Sequence, residues 1–175
     1  AYKVRATEDY RNLRVVDPGK LLRSGQMTPA GFDRVVREFG VKTVFSLRDS
    51  RDDDGPPPDQ HEADYCAANG VAFHRLSPAA WSAPDGSVPA EKNVREYLRI
   101  LNDPATERPV LVHCFAGMHR TGAHVAVYRV QYQGWDAEAA LTEMVELGSP
   151  RKPFRADLLA YIRGFRPVGN GGCGR

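Results

Sequence analysis

Cysteine is scarce in this chain of 175 residues, and Cys66, Cys114 and Cys173 are odd in number and widely spaced. That spacing excludes a disulfide framework and fits no zinc-ligand pattern. Unpaired thiols favour a reducing compartment, hence the cytoplasm. Long apolar runs are missing as well, so no membrane-spanning segment is expected. The opening decapeptide, AYKVRATEDY, is polar and does not read as a signal peptide. There is no charge excess: 24 Lys and Arg against 22 Asp and Glu leave a net +2, too little to point to nucleic acid. No internal repeat is visible.

What is present is an ordinary globular composition, 42% hydrophobic and 26% charged, over a length that suits one core. One domain is expected over residues 1–168, with the Gly-rich 169–175 (GNGGCGR) a disordered tail. The first 20 residues read as polar and irregular, with a turn at Asp17-Pro18-Gly19 and a short strand opening at Leu21.

Apolar periodicity then alternates between two kinds. Thr28 caps a helix with Pro29 at its first position and a stripe of Phe32, Val35, Val36 and Phe39, closed by Gly40. Val41–Leu47 reads as a buried strand, residues 49–59 as a loop, His61–Ala68 as a short helix and Val71–Leu76 as a strand. After a Pro-rich loop at 77–89 comes a helix with Val94, Tyr97, Leu98 and Leu101 on one face, then a strand from Val110 to His113. Three more helices are expected, over about 121–133, 136–147 and 154–165. Strands alternating with helices predict an α/β domain: a mainly parallel central sheet of about four or five strands with helices on both faces.

The chemistry-bearing segment runs from Pro109 to Gly122, PVLVHCFAGMHRTG. A buried strand ends at His113, a tight loop holds Cys114, and a helix starts at Arg120 or Thr121. A loop of this kind turns several backbone N–H groups inward and makes an anion cradle. The helix start adds free N–H groups and the positive end of its dipole. Arg120 supplies a planar fork that matches two phosphate oxygens. Gly117 permits the tight backbone. A cysteine in this field titrates below the usual thiol value near 8.5, which makes Cys114 a nucleophile rather than a buried apolar filler.

The stretch His113-Cys114-Phe115-Ala116-Gly117-Met118-His119-Arg120-Thr121-Gly122 resembles the signature of the protein tyrosine and dual-specificity phosphatases. Leu22–Gln26 (LRSGQ) and Val44–Asp49 (VFSLRD) resemble the compact atypical dual-specificity branch. The resemblance implies that Cys114 attacks phosphorus, Arg120 binds the equatorial oxygens, Thr121 assists departure of the sulfur, and His113 tunes the thiol from behind. It implies that residues 115–120, namely Phe115, Ala116, Gly117, Met118, His119 and Arg120, cradle the substrate, with no metal and no cofactor. The expected function is phosphomonoester hydrolysis on a phosphorylated protein or a small phosphoester, with tyrosine or dual specificity foremost. An inositol-phosphate or phosphoinositide phosphatase and a phosphate-binding pseudophosphatase are the alternatives.

A general acid is also required for the leaving oxygen. Relatives place an aspartate on a loop about 30 residues before the cysteine, and Asp85 stands 29 before it in Trp81-Ser-Ala-Pro-Asp85. Pro-Asp-Gly is equally an ordinary turn sequence. Glu91, Asp49 and Asp53 are the other candidates. His119 is either an added positive charge or a solvent-facing rim residue. Arg48 reads as a pocket support or an ion-pair partner, and Arg151, Lys152 and Arg155 as a substrate-facing or a solvated cluster. Cys66 packs in the core or traps an oxidised Cys114 as a disulfide.

Overall fold

A computed structural model describes residues 2–3, 9–48, 55–149 and 151–169. Asp49, Asp53 and Cys173, and all but the first residue of the tail, lie outside the described residues. The described residues form six strands: β1 (Tyr2–Lys3), β2 (Arg14–Asp17), β3 (Leu21–Gly25), β4 (Thr43–Ser46), β5 (Ala72–Arg75) and β6 (Val110–Cys114). The helices are α1 (Pro29–Phe39), α2 (Gln60–Ala68), α3 (Glu91–Asn102), α4 (His119–Gln133), α5 (Ala137–Glu146) and α6 (Ala156–Gly164). The sheet order is β1-β2-β3-β6-β4-β5, parallel from β3 to β5 and antiparallel at β1 and β2. The mainly parallel α/β sheet is therefore as the sequence predicts. The two antiparallel strands correct the reading of the first 20 residues as irregular.

The helix ends follow their local chemistry. The Thr28 hydroxyl accepts from the Gly31 N–H at the start of α1, and Gly40 closes that helix in the left-handed region. Asp136 accepts from the Ala139 N–H at the start of α5. Strand alternation splits the core in two. Phe45, Val110 and Val112 face α3–α6, whereas Val44 and Leu111 face α1 and α2. Each such side chain, fully buried, contributes about 1.5–3 kcal/mol relative to exposure. The most buried helix is α4, enclosed from Thr121 to Val130.

This topology places the site. β6 lies between β3 and β4, with Cys114 beside Gly25 and His113 beside Ser46. Three parallel strands thus deliver their carboxyl ends to one edge, the usual position of a ligand crevice in such sheets. The Leu47 N–H donates to the His113 carbonyl (2.8 Å), which carries the pairing one residue further.

Candidate active site

Cys114 is the last residue of β6 and nearly buried, and α4 begins five residues later at His119. Between them Gly117 adopts φ +70°, and a Cβ there would lie 2.4 Å from the Gly25 nitrogen. Backbone conformation and close approach both demand glycine. The Gly117 N–H donates to Cys114 Sγ at 3.2 Å. Burial pushes the Cys114 thiol up, but the polar Thr121 hydroxyl and backbone N–H, the Arg120 charge and the Gly117 N–H outweigh it, so the thiol titrates below its ordinary value. The Thr121 hydroxyl also reaches the Ser24 carbonyl, at a long 3.5 Å.

Arg120 sits in the first turn of α4, and its Nη1 donates to the Leu47 carbonyl at 2.5 Å. A cation is unfavourable at a helix start unless an anion joins it. Behind it, His124 Nδ1 lies 2.9 Å from the Arg120 carbonyl; burial holds this imidazole down to about 4, so it is neutral and donates there.

His113 points to the other face of the sheet, where its Nε2 lies 2.8 Å from Glu62 of α2. Both side chains are buried, at 1% and 4% exposure. The contact lacks hydrogen-bond alignment and acts as an ion pair. Burial pulls the His113 pKa down, but Glu62 together with the Cys114 and Asp59 charges outweighs this and raises it. Beside it Asp59 accepts from Ser46 Oγ and, with both oxygens, from Arg75.

A cavity of about 400 Å³ opens over the sulfur. Cys114, Phe115, Ala116, Met118, His119 and Arg120 line it together with Ser149, Arg151 and Lys152. The structure thus gathers most of the sequence-predicted residues around one space, with Gly117 and Thr121 packed against Ser24 next to it and His113 behind. His119 is docked rather than free: its Nε2 lies 2.9 Å from the Lys152 carbonyl and its ring meets Phe154 edge-on. Phe115 is half exposed, with the guanidinium groups of Arg11 and Arg48 over its ring at 4.5 and 4.9 Å. Of the basic cluster, Arg155 instead pairs with Asp157 (2.7 Å).

Asp85 is not brought to this cavity. It lies exposed in a turn, where its Oδ1 accepts from the Ser87 N–H at 2.9 Å and from Ser87 Oγ at 2.7 Å. The Ser87 hydroxyl, followed by its backbone N–H, holds the Asp85 carboxyl below its usual range. The root of the same loop is anchored nearer: Trp81 packs on Tyr161 and shares a small crevice with Leu47, Arg120 and His124. Glu91 is engaged by Arg95 at 3.1 Å. Cys66 belongs to the core on the α1–α2 face, away from the cluster that holds Cys114, and burial pushes its thiol up to about 12.

Sequence reasoning missed Glu62, Asn12 and Arg23. A lone acid in an Ala-rich helix gives no signal of burial. For Arg23 a signal existed: an arginine inside the strand LLRSG, next to Leu21 and Leu22, must find a buried partner.

A family model described as "DSP-PTPase phosphatase fused to NAD+ Kinase" matches residues 3–153. The chain belongs to this phosphatase family. Among similar proteins, the dual specificity protein phosphatase TpbA of Pseudomonas aeruginosa is 43% identical over 74 residues, 42% of this chain and 34% of TpbA. That match therefore spans about a third of the relative's length. The crystal structure of a Cys-to-Ser variant of TpbA in complex with pTyr superimposes with a TM-score of 0.62 at 29% identity, covering 92% of each chain. The inositol diphosphatase DSP4 of Arabidopsis thaliana is 30% identical over 124 residues, 71% of this chain and 57% of DSP4.

Proposed function

We propose that the protein hydrolyses phosphomonoesters through a cysteinyl-phosphate, with phosphotyrosine on a protein or peptide as the leading substrate. The reading is carried by one observation: a thiol held low by Thr121, Arg120 and the Gly117 N–H, at the floor of a cavity walled by the first turn of α4. The Cys114 sulfur attacks phosphorus, an S–P bond forms, and the P–O bond to the alcohol breaks. Charge grows on the phosphoryl oxygens in that step, where the Arg120 fork and the loop N–H groups receive it. Water then attacks phosphorus, the sulfur leaves as thiolate, and inorganic phosphate is released. Thr121, which helps hold the thiol low, stabilises the sulfur as leaving group by turning its hydroxyl from the Ser24 carbonyl to the sulfur. The alcohol needs a proton as it departs, and we assign this to Asp85. In the turn its carboxylate is held ionised by Ser87, so the assignment requires the loop to swing and release that bond. The pTyr complex of TpbA supports the choice of substrate.

A second reading is favoured by Arg151 and Lys152, which put two further cations on the cavity wall. It is a small molecule carrying several phosphates, in keeping with the name of DSP4. A panel of phosphotyrosine peptide, phosphothreonine peptide and inositol phosphates against wild type and Cys114→Ser tests both. The first reading expects phosphate release from the tyrosine peptide foremost and none from the variant. Release from inositol phosphates alone selects the second. No turnover of any substrate or of p-nitrophenyl phosphate overturns the enzyme assignment.

A further inference from the structure

Three successive carbonyls of the loop after Cys114 are gripped from one side by the N-terminal part of the sheet. The Phe115 carbonyl accepts from the Gln26 N–H at 3.0 Å. The Ala116 carbonyl accepts from Asn12 Nδ2 at 2.7 Å. The Gly117 carbonyl accepts from Arg23 Nη2 at 2.8 Å. A trans peptide unit carries its C=O and the next N–H on opposite edges, so a carbonyl fixed outward turns the following N–H inward. One of these units shows both ends: Asn12 holds the Ala116 oxygen, and the Gly117 N–H of the same unit points at Cys114 Sγ.

From this we infer that Asn12 and Arg23 are positioning residues of the anion-binding loop, which hold its carbonyls outward so that the N–H groups of Gly117 and Met118 face the sulfur and the bound phosphoryl group. The inference rests on the phosphatase reading above and adds two residues that the signature motif does not contain. Both carry marks of having been placed for this contact. Asn12 is the one non-glycine residue with positive φ (+49°) among the described residues. Such a strained position persists where the surroundings dictate it, and strain of this kind clusters at functional sites. Arg23 is 1% exposed, yet its Nε and Nη1 have no hydrogen-bond partner among the described residues, so the Gly117 carbonyl receives the one bond its side chain makes there. Beyond that bond its charge is compensated first by Glu143, and a buried cation held in this way is a poor stabiliser of a fold. It makes sense beneath an anion site, where its charge also attracts the Cys114 thiolate.

The test separates loop geometry from stability. Asn12→Gly, Arg23→Met and Arg23→Lys are compared with wild type by thermal melting, by vanadate inhibition, and by the pH midpoint of Cys114 alkylation with iodoacetamide. Glycine accepts the left-handed backbone without strain, so Asn12→Gly keeps or raises Tm. It should nevertheless weaken vanadate binding about tenfold, the loss expected when one N–H swings away from a charged ligand, and move the alkylation midpoint upward. Arg23→Met should do the same. Arg23→Lys retains the charge without the fork, and should recover part of the midpoint while vanadate stays weak. Wild-type midpoint and vanadate affinity in a folded Asn12→Gly overturn the inference, and so does a fall in Tm with both readouts unmoved. Should Arg23→Met fail to fold, Asn12→Gly decides alone. Should wild type bind no vanadate, the phosphatase reading fails, and the alkylation midpoints still decide the clamp.

Discussion

The Glu62 carboxylate lies 2.8 Å from the His113 imidazole, on the face of the sheet opposite the neighbouring Cys114 sulfur. The pair is buried, and the Glu62 charge raises the His113 pKa despite burial. A folded-state pKa above the unfolded value of about 6.5 means that the fold binds the proton more tightly. The resulting stability is fully present below pH ~6.5 and is lost as pH rises through the raised value.

Glu62→Gln removes this. It should destabilise the fold by about 3 kcal/mol near pH 6, the lower end of what breaking a buried pair costs. The Tm difference from wild type should shrink toward pH 9, as His113 loses its proton in wild type too. Because the His113 and Cys114 charges attract, the variant's thiol should also titrate higher, read as an upward shift in the alkylation midpoint. A Tm difference that is flat with pH contradicts the protonated-His113 assignment.

Thr121 offers a cleaner handle on the thiol itself. Its hydroxyl is the foremost of the groups that hold Cys114 low against burial. Thr121→Ala should raise the alkylation midpoint by about one pH unit, within the range of a lost hydrogen bond to a charged group. It should also slow release of the sulfur, so that a rapid burst of alcohol precedes slow turnover. An unchanged midpoint with no burst removes Thr121 from both roles.

Much of this arrangement was legible before any coordinates. The segment Val110–Gly122 announces itself because a buried strand, a small-residue loop and a helix start follow one another within 13 residues, and each step has its own signal. The helices α1 and α3 declared their inner faces by period. What stayed hidden was what tertiary context decides. β2 has only Val15 and Val16 between polar ends and becomes a strand by pairing with β3. Glu62 and Asn12 look like surface residues until α2 and the N-terminal turn dock against the site. Asp85 was ambiguous for a physical reason: the same Pro-Asp-Gly that suits a mobile acid loop also makes an Asx turn, and the turn is the state observed.

That state makes Asp85 testable through its partner. If Asp85 donates the proton, Asp85→Asn should lower kcat about 100-fold for phosphotyrosine, the low end for a general acid. p-Nitrophenyl phosphate, whose leaving group needs little help, should lose much less. Ser87→Ala removes the hydroxyl bond, the foremost of the two that hold the carboxyl's pKa down, and leaves the backbone N–H bond in place. Its protonated form then survives to higher pH, and the basic limb of the pH–rate profile should move upward. Equal losses on both substrates for Asp85→Asn point to another acid.

The last relationship is that between Arg120 and Leu47. Among the described residues the guanidinium is aimed by one bond, from Nη1 to the Leu47 carbonyl just past β4, and Arg120 lines the cavity. A lysine can carry the charge but cannot hold that carbonyl and two phosphoryl oxygens in one plane. Arg120→Lys should therefore lose about 10²–10³-fold in kcat, the usual consequence of removing a donor aimed at transition-state charge. Its KM should change less than its kcat, because the ground-state phosphate dianion is also held by the loop N–H groups and the dipole of α4. Vanadate, which adopts the five-coordinate geometry of the transferring group, should weaken roughly in step with kcat, whereas inorganic phosphate should weaken little. Parallel losses in vanadate and phosphate affinity would mean that Arg120 binds substrate and transition state alike, and that stabilisation of the transferring phosphoryl group comes chiefly from the backbone of the loop.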